Sequence, residues 1–287
     1  MNIVTDKDKT ATLDSIYDSL KCDSVESFKT QLVTCISLPR SGTNFILYNL
    51  LGRINEFNVQ LEIYAEQVEV RKTCISNKYY YVGLELLDPE NIIDYLLKKS
   101  NEPYLVHKIF KDMFPLLIHN NTTNSCKEGV VCLKYDRILN SSQYIFFIKR
   151  NTLDIFISEK KIHITQKYTF ENTTSIKIEF NIDEYTNYRN SYLKWFEIAR
   201  EFCDRENKKY VIIDYDELMK LDNEECQLKY CIEKLQPILD IQLTIYENNK
   251  TSITKQDLST RYEDKISNYY EVKEFIENAG NHTNTVV

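Results

Sequence analysis

The sequence of 287 residues predicts a three-layer α/β fold, in which helices cover both faces of a mostly parallel central sheet. Short apolar runs typical of buried strands alternate with segments of helical periodicity. Strands separated by helices are joined by right-handed crossovers and therefore run parallel. The first strand also passes into a helix through a short loop, and this order of strand, loop and helix predicts a fold of the P-loop type.

The predicted strands are four apolar runs, at residues 33–37, 104–110 (YLVHKIF), 144–148 (YIFFI) and 210–213. Near-continuous apolar runs of this length are typical of strands that are buried on both faces. Residues 79–82 are a candidate for a further short strand. Because ligands of parallel sheets bind at the carboxyl ends of the strands, the residues that follow each run are candidates for the site.

Helices are predicted between these strands. From residue 43 onward the apolar residues recur at helical spacing. Pro89 and Glu90 are typical of a first helical turn, because proline suits that position and an acid interacts well with the helix dipole. The helix at 182–202 is amphipathic, with its aromatic residues on one face. The remaining helices are predicted at residues 13–20, 89–97, 152–167, 225–235 and 272–278.

Composition favours one domain, residues 1–287, in which the polar residues 1–30 form a surface arm. A chain of this length with 43% hydrophobic residues can bury one substantial core, and no Pro/Gly/Ser-rich seam divides it. Residues 169–181 are polar and irregular, and they are predicted to form a flap.

The net charge of −7 gives no general attraction to nucleic acid or to an anionic membrane, so any anion site must be local. The first 20 residues resemble neither a signal peptide nor an anchor, and no apolar run approaches the roughly 20 residues that span a bilayer. The eight cysteines form no C-x-x-C pair and no regular framework. We therefore expect reduced thiols in a cytoplasmic protein.

A candidate anion-binding loop, LPRSGTN at residues 38–44, joins the first strand to its helix. Pro39 cannot lie in a central strand, and Gly42 allows a tight turn. Ser41, Thr43 and Asn44 can form hydrogen bonds where the helix begins. The N–H groups of a helix start and the helix dipole favour a negative charge in such a loop. The alternative is an ordinary capped turn between a strand and a helix.

The loop differs from the usual nucleoside-triphosphate loop, G-x-x-x-x-G-K-[ST], which carries a lysine for the terminal phosphates and a hydroxyl for magnesium. The loop at residues 38–44 has one glycine, and its cation, Arg40, precedes that glycine. A P-loop kinase or hydrolase is therefore disfavoured, although it stays open as an alternative.

A second candidate anion site follows the strand at 144–148. Arg150 ends that strand, and Ser158 lies about two helical turns further on. A guanidinium and a hydroxyl so arranged can close on one phosphate. Lys161 is three residues beyond Ser158 on the same helical face. The alternative is that Arg150 is a surface charge at a helix start and Ser158 is a tolerated polar residue without a binding role.

The two motifs together resemble those of the sulfotransferases that use 3′-phosphoadenosine 5′-phosphosulfate (PAPS). The loop P-R-S-G-T-N is similar to the 5′-phosphosulfate loop of that family, and R-N-x-x-D-x-x-x-S resembles its 3′-phosphate motif. The likeness covers about residues 33–274 and is closest to the small bacterial enzymes of the nodulation-factor and trehalose-glycolipid type. Further matching segments lie at residues 61–64, 108–110, 195–197, 214–218 and 265–272.

The resemblance implies transfer of a sulfuryl group from PAPS to a hydroxyl or an amine, with 3′-phosphoadenosine 5′-phosphate (PAP) as product and no metal. The predicted binding residues are Arg40, Ser41, Gly42, Thr43 and Asn44 for the 5′ end, and Arg150, Ser158 and Lys161 for the 3′ end. A carbohydrate or glycolipid acceptor is implied by the bacterial resemblance alone. A module that binds PAP without catalysis is the other alternative.

The chain departs from the animal enzymes of this family at three places. Arg40 stands where they have a lysine, and the second strand reads His107-Lys108 in place of their K-T-H motif. Their C-terminal R-K-G loop is missing, and Lys255, Arg261 or Lys265 is the candidate to replace it.

Glu62 is the favoured general base, because it matches a carboxylate of the bacterial relatives. A glutamate with its ordinary pKa of about 4.3 is a weak base, so partial burial would have to raise that pKa. His107 and then Glu66 are the alternatives for the base, and Lys108 either assists the leaving group or caps a strand.

Overall fold

Five parallel strands form one sheet in the computed structural model, which describes residues 29–60, 89–110, 139–165, 172–246, 259 and 261–281. The strand order is β2-β3-β1-β4-β5, and every neighbouring pair is parallel. The predicted α/β fold class is therefore confirmed. The strands are β1 (Gln31–Ser37), β2 (Phe57–Val59), β3 (Tyr104–Phe110), β4 (Tyr144–Lys149) and β5 (Lys209–Asp214).

Two of the longer helices begin at asparagine residues that cap them. Asn181 accepts a hydrogen bond from the Glu184 amide at 2.9 Å, and Asn223 accepts one from the Cys226 amide at 3.0 Å, so each satisfies an amide that the helix leaves free. The helices are α1 (Pro89–Lys99), α2 (Thr152–Thr165), α3 (Ile182–Arg205), α4 (Tyr215–Leu218), α5 (Glu224–Leu235) and α6 (Tyr269–Asn281).

Alternate residues of the strands enter two separate cores, one on each face of the sheet. On the first face Ile36 and Phe147 pack with α1 and α3, and on the second face Cys35 and Phe146 pack with α5 and residues 45–50. Both faces are therefore covered by helices, which is the three-layer arrangement that a buried parallel sheet requires.

The helix predicted after the first loop is not a regular α-helix. It is a π-helical segment, Phe45–Leu50, followed by a 3₁₀ turn, Leu51–Arg53. Strand β2 was not predicted, because three residues with a polar centre carry no periodic signal. The predicted helix at 13–20, the strand at 79–82 and most of the arm at 1–30 lie outside the described residues.

The prediction of a flap at residues 169–181 is wrong for the part that the structure describes. Ile178 and Phe180 are buried, and Ile178 pairs with Ile266 in a parallel bridge. The segment packs with α2 and α6 because Ile178 and Phe180 both belong to one small core. Within the described ranges, no helix combines the length and the apolar character needed to cross a bilayer.

Candidate functional site

The loop at residues 38–44 lies at the carboxyl end of β1, in the centre of the sheet. The Ser41 hydroxyl donates to the Leu38 carbonyl at 2.7 Å, and the Thr43 hydroxyl lies 2.9 Å from that of Ser41 and 2.8 Å from that of Ser37. Ser41 and Thr43 are buried, so these hydroxyls fix the shape of the loop.

Two loop residues have left-handed backbone. Arg40 has φ +67° and Gly42 has φ +84°. Gly42 has a second reason to lack a side chain, because a methyl group there would lie 2.1 Å from Cε2 of Tyr215. The loop therefore follows a path that only glycine permits at residue 42.

The structure brings together the two motifs that the sequence singles out. Arg40 Nε donates to Ser158 Oγ at 3.2 Å, across 118 residues of sequence. Arg150 Nη1 donates to the Arg40 carbonyl at 2.6 Å, across 110 residues. Arg40, Arg150 and Ser158 therefore lie at one place, at the carboxyl ends of β1 and β4.

Two guanidinium groups share this place, and the electrostatics reflect it. Burial and the nearby charge of Arg150 lower the pKa of Arg40, and Glu159 partly offsets both. Among the described residues, the buried Nε of Arg150 has no hydrogen-bond partner. A dianion placed here would relieve the repulsion and could accept from that N–H.

Lys108 approaches the loop from β3. Its Nζ donates to Asn44 Oδ1 at 2.6 Å, and its side chain is buried. Lys108 lies on the same face as Cys35 and Val106, which is the face covered by residues 45–50. A third cation is thus held against the beginning of the π-helical segment.

His107 lies on the opposite face of the sheet, because successive residues of a strand point to opposite sides. Its Nε2 is 2.6 Å from Thr34 Oγ1, which also bonds to Ser142 Oγ. The side chain is fully buried, and burial lowers the pKa of His107 to about 3. This environment favours a structural role for His107 over that of a general base, since proton transfer requires contact with the acceptor.

The burial of His107 predicts a pH dependence of stability. A folded pKa below the unfolded value of about 6.5 means that acid favours the unfolded chain, so stability is full above pH 6.5 and falls as the pH drops towards 3. As the pH falls from 6.5 to 4.5, the free energy of unfolding should fall by about 2–3 kcal/mol more in the wild type than in His107→Gln. This difference follows from about 1.4 kcal/mol per pH unit for one proton. Urea denaturation across this range measures the difference. His163→Gln is the control, because His163 is exposed, and parallel profiles for wild type and His107→Gln would contradict the prediction.

The other predicted binding residues are placed differently. The Lys161 side chain is buried and donates to the Thr173 carbonyl at 3.1 Å. Arg261 is exposed and pairs with Glu263 and Asp264. Among the described residues, no hydrogen bond links Lys161 or Arg261 to Arg40, Arg150 or Ser158. Glu62, Glu66 and Lys255 lie outside the described residues.

Lys265 approaches the second motif more closely than Arg261 does. Its Nζ is 3.1 Å from Asp154, in the first turn of α2, and lies 5.3 Å from the ring centroid of Tyr262. Asp154 is four residues after Arg150. Of the two described C-terminal candidates, Lys265 is therefore the better placed to reach a ligand of Arg150.

Tyr215 belongs to the site, although the sequence reasoning gave it no role. Its ring lies against Gly42, and the Arg150 guanidinium lies 4.9 Å from the ring centroid. The available signal was its position directly after β5, at the edge of the sheet where ligands bind.

No protein-family model matches the chain, and no curated protein matches it either.

Proposed function

We propose that this protein is a sulfotransferase that moves a sulfuryl group from PAPS to a hydroxyl of a carbohydrate or glycolipid acceptor. One observation carries the proposal, namely the meeting of Arg40, Arg150 and Ser158 at the carboxyl edge of the sheet. A nucleotide with phosphates at both ends needs two anion sites that face one ligand. Two distant sequence motifs supply the donors for such sites.

The donor set fits the chemistry of the nucleotide. Arg40 would bind the 5′-phosphosulfate beside the loop, and Arg150 with Ser158 would bind the 3′-phosphate. Guanidinium groups form planar pairs of hydrogen bonds with phosphate oxygens, and a hydroxyl adds a single bond. The 3′-phosphate takes no part in the reaction, but its binding energy selects this nucleotide.

The reaction is an in-line displacement at sulfur. The acceptor oxygen forms a new S–O bond while the S–O bond to the 5′-phosphate breaks, and PAP leaves with the bonding electron pair. Arg40 and Lys108 would stabilise the negative charge that develops on the leaving phosphate. A base takes the proton of the acceptor hydroxyl, and Glu62 is the candidate. Because the protein supplies positioning and charge, no covalent intermediate with the enzyme is required.

A cytoplasmic location is part of this proposal. Cys35, Cys203 and Cys231 are buried free thiols in the described structure. Burial raises the pKa of Cys203 and of Cys231 to about 12, so both stay protonated and unreactive at neutral pH. Such thiols suit a reducing compartment.

The test is a thermal-shift titration of the full chain with PAP and, separately, with ATP and Mg²⁺. Saturating PAP, at about 100 times its dissociation constant, should stabilise the protein by roughly 2.7 kcal/mol. Stabilisation by Mg²⁺-ATP but not by PAP would replace the proposal with a kinase or hydrolase. If neither ligand shifts the unfolding temperature, the nucleotide site is not there.

Transfer itself needs a second assay. Radiolabelled PAPS incubated with a panel of glycans and glycolipids should label at least one acceptor in the presence of the protein. Binding of PAP with no transfer to any hydroxyl acceptor would favour the alternative of a non-catalytic PAP-binding module.

A further inference from the structure

We infer that Tyr215 is a positioning residue that holds the two anion-binding motifs at a fixed separation, so that the site prefers a nucleotide with both phosphates. The inference rests on the proposed function and extends it to a residue outside both motifs. Three features of the described structure carry it: the contact with Gly42, the contact with Arg150, and the rigid attachment of Tyr215 itself.

The first contact is with the loop. A methyl group on Gly42 would lie 2.1 Å from Cε2, 2.4 Å from Cδ2 and 2.8 Å from Cζ of Tyr215. One edge of the ring therefore rests directly on the backbone of the loop. The ring limits how far the loop can move towards β5.

The second contact is with the other motif. The guanidinium of Arg150 lies 4.9 Å from the centroid of the Tyr215 ring, which is within the range of a cation–π interaction. The same guanidinium donates to the Arg40 carbonyl. Tyr215, Gly42, Arg40 and Arg150 thus form a closed circuit of contacts, in which the tyrosine ring is the spacer between the motifs.

Tyr215 is itself held by two elements. It follows β5 directly, where the Asp214 carboxylate caps α4 by accepting from the Asp216 and Glu217 amides at 3.0 and 3.1 Å. Asp216 in turn accepts from the Asn151 amide at 2.5 Å, next to Arg150. The ring is 8% exposed. The spacer is therefore anchored both to the sheet and to the start of α2.

A rigid spacer has a specific consequence for binding. A ligand that touches both motifs gains from their fixed separation, because it need not order them on binding. A ligand with a single phosphate touches one motif and gains little. Loss of the spacer should therefore weaken PAP more than it weakens 5′-AMP.

The experiment is calorimetric titration of PAP and of 5′-AMP into the wild type and four variants. In Tyr215→Leu we expect the affinity for PAP to fall about tenfold or more, and the affinity for 5′-AMP to fall by less than about threefold. Tyr215→Phe should keep both affinities at their wild-type values, because the ring, and not the hydroxyl, spaces the two motifs. Tyr215→Met, which places a flexible apolar side chain without a ring at this position, is the second test if the leucine variant does not fold.

Phe202→Leu is the matched control. Phe202 is 7% exposed, belongs to the core on the opposite face, and carries the Arg205 guanidinium 5.6 Å from its ring centroid. This variant loses an equally buried cation–π ring, and its ratio of PAP to 5′-AMP affinity should equal that of the wild type.

Two results would overturn the inference. The first is wild-type PAP affinity in the leucine or methionine variant. The second is an equal proportional loss for PAP and 5′-AMP, which would mean only general damage to the site. Failure of the wild type to bind PAP is a different outcome, because it removes the proposed function on which the inference rests.

Discussion

Arg150→Ala should remove most of the stabilisation that PAP gives to this protein. Arg150 would lose charge-assisted hydrogen bonds to the 3′-phosphate, worth about 1.5–3 kcal/mol each, so a roughly 100-fold weaker affinity is expected. At a PAP concentration that stabilises the wild type by roughly 2.7 kcal/mol, such a variant would be stabilised by only about 0.4 kcal/mol. Thermal shift measures the difference directly.

The unliganded variant should still fold. Arg150 lowers the pKa of Arg40, so removing one guanidinium relieves repulsion while it removes the bond to the Arg40 carbonyl. Arg205→Ala is the matched control, because Arg205 also stacks on an aromatic ring but lies at the far end of α3. A full PAP shift in Arg150→Ala would show that the 3′-phosphate binds elsewhere.

Gly42→Ala should be among the most damaging single substitutions in the described chain. Left-handed backbone costs a residue with a side chain about 1–2 kcal/mol, and the overlap with the Tyr215 ring adds about 1–3 kcal/mol. We expect the free energy of unfolding to fall by about 2–5 kcal/mol and PAP binding to weaken with it. Urea denaturation measures the loss of stability.

The chain offers both a control and a rescue for this experiment. A methyl group on Gly52 would meet only the Leu47 carbonyl at 3.5 Å, which is an ordinary contact. Gly52→Ala should therefore change stability little. In a Tyr215→Leu background the overlap is relieved, so Gly42→Ala should cost about 1–3 kcal/mol less than it does alone. An unchanged cost in that background would mean that the ring does not cause the damage.

The sequence carried most of the information about the fold. Strands β1, β3, β4 and β5 were predicted within about two residues, because buried parallel strands are continuous apolar runs that little else resembles. The element β2 and the four-residue helix α4 were missed, since they are too short to show a period.

The topology explains the placement of Arg40 and Arg150 better than that of Lys161 and Arg261. Arg40 and Arg150 follow the neighbouring strands β1 and β4, so the topology brings them to one edge of the sheet, and Ser158 lies on the helix α2 that begins there. Lys161 shares a helical face with Ser158, yet it is buried and donates to the Thr173 carbonyl, and helical spacing contains no information about that distant segment. Arg261 is held by its own sequence neighbours, Glu263 and Asp264.

His107 and Lys108 are adjacent on β3 but belong to opposite faces of the sheet. Adjacent residues of a strand point to opposite faces, so only one of them can approach a loop that packs on one face. The bond from Lys108 to Asn44 identifies that residue, and the bond of His107 to Thr34 assigns the histidine to the other core.

The left-handed backbone of Arg40 has a consequence for how this loop responds to selection. Glycine at residue 40 would adopt the same turn without steric cost, so a screen for heat resistance alone would enrich glycine there and discard the guanidinium. An arginine in that conformation lowers the folding stability of the loop, but it supplies a positive charge to the site. Thermostabilised versions of this chain should therefore be designed with residue 40 left unchanged.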